Sequence, residues 1–341
     1  MDHDENGSFR EQFDWAVMKN LPWLDDLKAQ ISAALIANRL GHAPLIQGPS
    51  GVGKRVLADW LSRRILCLEP DGRAACGQCR SCNLIESGTH PDFFDIGIPE
   101  DKRAIPVDSI RELNGRLQLT ASLSERRIGR VMPAEAMNKN AANALLKTLE
   151  EPAGNAWLIL VSDQPGQLPA TVRSRCQVIS VRPPEHAQAL AWLKECVRQL
   201  PNQVSADETA QALTLAGEAP LAALALLEGE GLAFGFSIRD GLIATANGEP
   251  VQEVLSSDWT ADAPLTWRWL ATWVALVLHQ SMKLSDDRQL IDELPRDISP
   301  QSVGQLWQQA LQGSALAQGN ARQDLLIGKW LLEWQEISRK R

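Results

Sequence analysis

The sequence has no tyrosine, no surplus of positive charge and no apolar run of membrane length. Its 341 residues carry 34 Lys and Arg against 42 Asp and Glu, a net charge of −8. That balance argues against a protein gripping nucleic acid over a broad basic surface, though not against a subunit whose neighbours make the contact. The most apolar long stretch, residues 269–278, is bracketed by Arg268 and His279 and is about half of what a bilayer crossing needs. The opening Met1-Asp2-His3-Asp4-Glu5 is acidic and polar rather than signal-like. The expectation is a soluble, cytoplasmic chain with no membrane partner.

What is present is an ordinary globular composition, 44% hydrophobic and 22% charged, which excludes a mainly disordered chain. The length allows two or three domains. Tryptophan is over-used: seven of the 12 fall between Trp259 and Trp334, from helix packing or from an interface. The six cysteines are uneven, with Cys67, Cys76, Cys79 and Cys82 clustered and Cys176 and Cys196 alone. The lone pair reads as small buried hydrophobes.

Short β-branched and apolar runs alternate with helical patterns in the first half. Strands are expected at Pro44–Gln47 and at residues 93–98, 128–132, 157–162 and 177–181, with helices at 55–66, 107–119 and 139–149. In the last of these, Asn138 caps, Ala141, Ala142, Leu145, Leu146 and Leu149 form one apolar face, and Pro152 stops the helix. Such alternation implies a mostly parallel sheet covered on both faces. After Pro183-Pro184 the pattern is all-helical, at 185–200, 207–216 and 219–227. A glycine-rich stretch from Gly229 to Gly235 marks a further boundary before helices at 267–284, 301–311 and 323–337. The expected domains are therefore 1–182, 183–228 and 229–341.

Gly48-Pro49-Ser50-Gly51-Val52-Gly53-Lys54 follows a strand and opens a helix, the context of a phosphate-binding loop. Gly48, Gly51 and Gly53 let backbone N–H groups close on phosphate oxygens, and Lys54 reaches the terminal phosphates. The next residue, where a hydroxyl should hold Mg²⁺, is Arg55. The strand that should end in catalytic carboxylates ends in Met132-Pro133. Glu135 is either a displaced base or, more in keeping with its place in a loop, a solvated residue. On residues alone this is a nucleotide-hydrolase fold without its chemistry, in which ATP binding is doubtful.

Cys67, Cys76, Cys79 and Cys82 are spaced C-x8-C-x2-C-x2-C with no histidine among them. Four thiolates at this spacing suit a closed, structural Zn²⁺ site in a small knuckle. Arg126, Arg127 and Arg130 form a basic cluster that either faces DNA or, as charge runs usually do, is solvated.

Two further runs are specific. Asn143-Ala144-Leu145-Leu146-Lys147-Thr148-Leu149-Glu150-Glu151-Pro152 is followed by Leu168-Pro169-Ala170-Thr171-Val172-Arg173-Ser174-Arg175-Cys176. With the phosphate loop and the four cysteines, these runs closely resemble bacterial clamp-loader subunits of the AAA+ family. The resemblance covers residues 20–230 by motif, and the C-terminal third fits only by being helical. It implies an α/β sheet domain of AAA+ P-loop type with a zinc knuckle, a small helical lid and an all-α collar. The collar would join gamma/tau and delta subunits in a hetero-pentameric ring within DNA polymerase III, acting indirectly on a sliding clamp and primer–template DNA.

The family's sensor-1 residue falls on Ser162, and its sensor-2 arginine would fall on Pro220. Arg175, supported by Ser174, resembles an arginine finger acting on a neighbour's ATP; the alternative is a structural salt bridge that fixes the loop to its own domain. Arg55, Met132-Pro133 and Pro220 depart from the ATP-hydrolysing gamma/tau pattern in the way the family's non-hydrolysing subunits do. Retention of Lys54 leaves weak phosphate binding open. The alternative is an active gamma/tau-type subunit using Lys54 and Glu135. An unrelated P-loop enzyme would have no reason for the run 143–152.

Overall fold

The structure, a computed structural model, describes residues 20–201, 203–282, 288–295, 298–317 and 321–339. The acidic opening and the expected helix end at 283–284 lie outside them. The chain divides into two compact units. One runs to Pro201 and takes in Ala216–Leu224; the other takes in Asn202–Leu215 and the chain from Ala225.

The first unit is built on five parallel strands: β1 Pro44–Gln47, β2 Phe93–Ile96, β3 Arg127–Val131, β4 Ala156–Ser162 and β5 Gln177–Ser180, in the order β2-β3-β4-β1-β5. Its helices are α1 Asp25–Ile36, α2 Lys54–Leu66, α3 Arg80–Glu86, α4 Val107–Leu117, α5 Lys139–Glu150 and α6 His186–Val197. β1 is an interior strand, paired with β4 and β5, and every residue but Gln47 is apolar and buried, as a parallel strand covered on both faces requires. α5 starts where expected: the Asn138 side chain accepts from the Ala141 N–H at 2.8 Å. Its buried face of Ala141, Ala142, Leu145 and Leu149 joins Leu45, Leu113, Val131, Leu158 and Leu160 in one core.

The pleat of β3 corrects the expectation for the arginine cluster. Arg127 and Arg130 point to opposite faces, and both are buried. Arg127 donates to the Thr120 and Arg116 carbonyls at 2.6 Å each and lies 3.5 Å from Asp92. Arg130 is clasped by Asp95 of β2 and Asp59 of α2. Burial alone would lower the Arg130 pKa, but these two carboxylates raise it above the ordinary value. Neither arginine is solvated or available to DNA; only Arg126 is part-exposed, over the Trp157 ring. Arg130→Ala should destabilise the protein by about 3 kcal/mol, the low end for breaking a buried pair because Asp59 and Asp95 keep partial access to water. A urea melt followed by circular dichroism reads this directly, and an unchanged midpoint would refute it.

The longer remaining helices are α7 Ala206–Leu215, α8 Pro220–Glu228, α9 Gly231–Asn247, α10 Ala263–Ser281, α11 Pro300–Leu316 and α12 Gln323–Arg339. α9 begins within the glycine-rich stretch Gly229–Gly235, separated from α8 by the break at Gly229-Glu230. Gly235 lies inside α9 because a Cβ there would come 2.5 Å from the Trp269 ring, and its carbonyl accepts from Trp273 Nε1 at 2.8 Å. The tryptophans of this region are interior: Trp259, Trp267, Trp269, Trp273, Trp330 and Trp334 are all buried. Trp330 and Trp334 donate to the Leu306 and Leu242 carbonyls, so packing explains the enrichment. Among the described residues no single helix is long and apolar enough to cross a membrane.

Candidate functional site

The phosphate-type loop lies where the sequence puts it, between β1 and the N-terminus of α2, and other segments of the chain pack against it. Lys54 is buried, 2.6 Å from Asp163 Oδ1, and also donates to the Pro49 carbonyl. The first turn of α8 sits on the loop: Leu221 N donates to Gly51 O at 3.0 Å. Gly51 has φ +78°, and a Cβ there would come within 2.5 Å of Ala222. Trp23 Nε1 donates to the Val52 carbonyl at 2.9 Å and packs edge-on against Trp192. Pro220 opens α8 with neither charge nor side-chain donor. Arg55 follows Lys54 on α2, in the position a metal-holding hydroxyl would need.

Glu135 is half-buried rather than a solvated loop residue, and its buried Oε2 has no hydrogen-bond partner among the described residues. Its Oε1 accepts from the Asp163 and Gln164 backbone N–H groups at 2.9 and 3.1 Å. It thereby holds the turn after β4 that presents Asp163 to Lys54. Ser162, fully buried at the end of β4, keeps a hydroxyl with no hydrogen-bond partner among the described residues. Asp163 thus meets the lysine charge, and the contacts from Leu221, Trp23 and Lys54 itself are made to the carbonyl oxygens of Gly51, Val52 and Pro49.

The four clustered cysteines converge as their spacing implied. Cys67 ends α2, Cys79 caps α3, and all four sulfurs lie within 4.8 Å of one another. Cys67 Sγ is 3.6 Å from Cys76 Sγ and 3.9 Å from Cys79 Sγ. A tetrahedron with metal–sulfur bonds of about 2.3 Å has edges of about 3.8 Å, so the set fits Zn²⁺. The Cys76 N–H donates to Cys67 Sγ and the Cys79 N–H to Cys76 Sγ, each at 3.3 Å. Burial raises the Cys67 thiol and, with its neighbours, pushes Cys82 up to about 12. Burial opposes ionisation of Cys79 too, but the backbone N–H groups of Cys82 and Leu68 bring it down to about 6. Behind the cluster, Ser81 Oγ donates to the Leu66 carbonyl at 2.7 Å and contacts His90 Nε2 at 2.9 Å, tying α3 to α2.

Arg175 follows the short helix Ala170–Arg173 and precedes β5. It is part-exposed and turned onto its own chain: Nε donates to Glu150 Oε1 at 2.7 Å, and Nη1 to the Thr171 carbonyl at 3.0 Å. Ser174 Oγ donates to that same carbonyl at 3.2 Å. Cys176 is packed against the core with its thiol pushed up to about 11 by burial, and Cys196 is fully buried; both are the inert cysteines expected.

A family model described as DNA polymerase III, delta subunit matches residues 23–185. A DNA polymerase III subunit delta' of Pseudomonas aeruginosa is 34% identical over 328 residues, covering 93% of this chain and 97% of that one. The chain belongs to the DNA polymerase III delta-prime family. The Escherichia coli member is 35% identical over 296 residues, covering 83% of this chain and 85% of its own. A DNA polymerase III subunit tau/gamma of Haemophilus influenzae is 27% identical over 303 residues, 81% of this chain but 43% of that one. In this delta-prime family member, the partners that occupy the loop were not legible in sequence. Asp163 and Trp23 belong to no motif, and Glu150 lay inside a recognised run without a role. The one available signal was that Asp163 directly follows Ser162 at a strand end.

Proposed function

We propose that this chain is the non-hydrolysing scaffold subunit of the replicative sliding-clamp loader in the DNA polymerase III holoenzyme. In this reading it catalyses nothing alone and belongs to a DNA-directed DNA polymerase assembly through its partners. Those partners are gamma/tau and delta subunits in a hetero-pentameric ring, with the sliding clamp and primer–template DNA reached indirectly, in the cytoplasm. The proposed layout is a P-loop domain over 1–182, a lid over 183–228 and an assembly collar over 229–341. The cysteine site would hold one structural Zn²⁺, which would staple α3 to the end of α2 and perform no catalysis. Arg175 would act in trans on the nucleotide of a neighbouring subunit, a task suited to a permanently charged planar fork.

The observation that carries the non-hydrolysing part is the Lys54–Asp163 ion pair beneath the turn of α8 on Gly51. ATP would have to displace a carboxylate from the lysine and a helix turn from the loop, with Arg55 where Mg²⁺ needs an oxygen. Against the gamma/tau-type alternative, Glu135 Oε1 is engaged by the Asp163 and Gln164 N–H groups. The isolated full-length chain with Mg²⁺ and ATP should therefore hydrolyse nothing above background. Turnover that disappears on Lys54→Ala would overturn this and restore the active-subunit reading.

A further inference from the structure

The Glu150–Arg175 pair joins the two runs that stand out in the sequence, and its geometry is selective. A guanidinium has five N–H donors. Nε and Nη2 both address Glu150 Oε1, at 2.7 and 2.6 Å. Nη1 donates to the Thr171 carbonyl at 3.0 Å and has a longer 3.4 Å contact with Ser174 Oγ. Nη1 is thus shared between two acceptors, while Nε and one Nη2 hydrogen are taken by Glu150. The second Nη2 hydrogen remains at the tip of the fork, and the long Nη1–Ser174 contact is the one a phosphate there would most readily replace.

The placement of Glu150 is also unfavourable for its own helix. It is the last residue of α5 and is followed by Glu151, so two carboxylates sit at a C-terminus where the helix dipole disfavours negative charge. Lysine or arginine there would serve the helix better. The pair is too exposed, 37% for Arg175 and 52% for Glu150, to contribute much to folding. Its effect is on orientation: a long, rotamer-rich side chain is held by one flank before anything meets its tip.

We propose that Glu150 is the positioning residue for Arg175, holding the Nε flank so that the terminal nitrogens face a phosphate of a neighbouring chain. This rests on the reading of Arg175 as a finger acting in trans. Glu150 touches no reacting atom and acts through the arginine alone.

The test is clamp- and DNA-stimulated ATP hydrolysis by the loader reconstituted from full-length subunits. The variants are Glu150→Ala, Glu150→Gln, Arg175→Ala and the double variant Glu150→Ala/Arg175→Ala. Glu150→Ala should lower kcat roughly two- to fivefold, the range an exposed ion pair supplies, with KM for ATP unchanged. Glu150→Gln keeps an oxygen acceptor and should recover most of the rate. In the Arg175→Ala background, loss of Glu150 should change nothing further. Melting temperatures of the variants should match the wild type, because both side chains are exposed. An unchanged kcat in Glu150→Ala beside a clear loss in Arg175→Ala would overturn the positioning role and leave the finger standing. A rate that rises in Glu150→Ala, or a loss that adds to that of Arg175→Ala, would overturn it too. No loss in Arg175→Ala would overturn both.

Discussion

Purified protein should contain one Zn²⁺ per chain, and Cys79→Ser combined with Cys82→Ser should remove it. The expected effect is large, because structural zinc in small knuckles binds with apparent free energies of about 10–16 kcal/mol and much of that appears as local order. Here it would order α3 and the turns from Cys67 to Cys82, a segment held otherwise by contacts such as Arg63–Glu86 and Ser81–Leu66. The sheet should survive, since its core runs from Ala43 through Ile105 to Val172 and takes no residue from that segment. Chelation should therefore expose residues 67–82 to proteolysis while most strand signal persists. Affinity should fall as pH falls, because metal and protons compete for the same sulfurs. Cys79, brought down to about 6, supplies a thiolate readily, whereas Cys82, pushed up to about 12, must have its proton displaced by the metal. Metal analysis finding no zinc, or a full complement in the double variant, would refute the site.

The strongest sequence signals were those in which local chemistry and tertiary role coincide. Asn138 caps α5 and four cysteines at knuckle spacing converge, because each outcome follows from neighbours in the chain, and the strands were legible singly by their apolar runs although their pairing is long-range. The failures share a different cause. Arg127 and Arg130 read as a surface cluster because the strand has to be placed to see that their odd separation of three residues sends them to opposite faces. Even then, their carboxylates come from distant elements. The packing need for Gly235 was not legible because the tryptophan against it is 34 residues away in sequence, from 235 to 269. Closure of the phosphate loop was legible only as missing ligands. What occupies it, Asp163, Trp23 and the first turn of α8, carries no motif and depends on the fold.

Loss of Arg175 should have the larger effect on function. A finger supplied in trans is worth about 10³–10⁵ in rate at the site it serves, on the order of 4–7 kcal/mol of barrier. The loader as a whole should lose only the share of turnover belonging to that site, since other interfaces would carry their own arginines. Arg175→Lys should recover little, because a point charge cannot reproduce the fork that Arg175 presents beside Glu150 and Thr171. The most direct measurement sets two variants side by side in the reconstituted loader, Arg175→Ala and Lys54→Ala, reading clamp- and DNA-stimulated ATP hydrolysis. A chain that serves a neighbour's nucleotide and none of its own predicts a clear loss with Arg175→Ala and the wild-type rate with Lys54→Ala. A wild-type rate with Arg175→Ala and a loss with Lys54→Ala would contradict it.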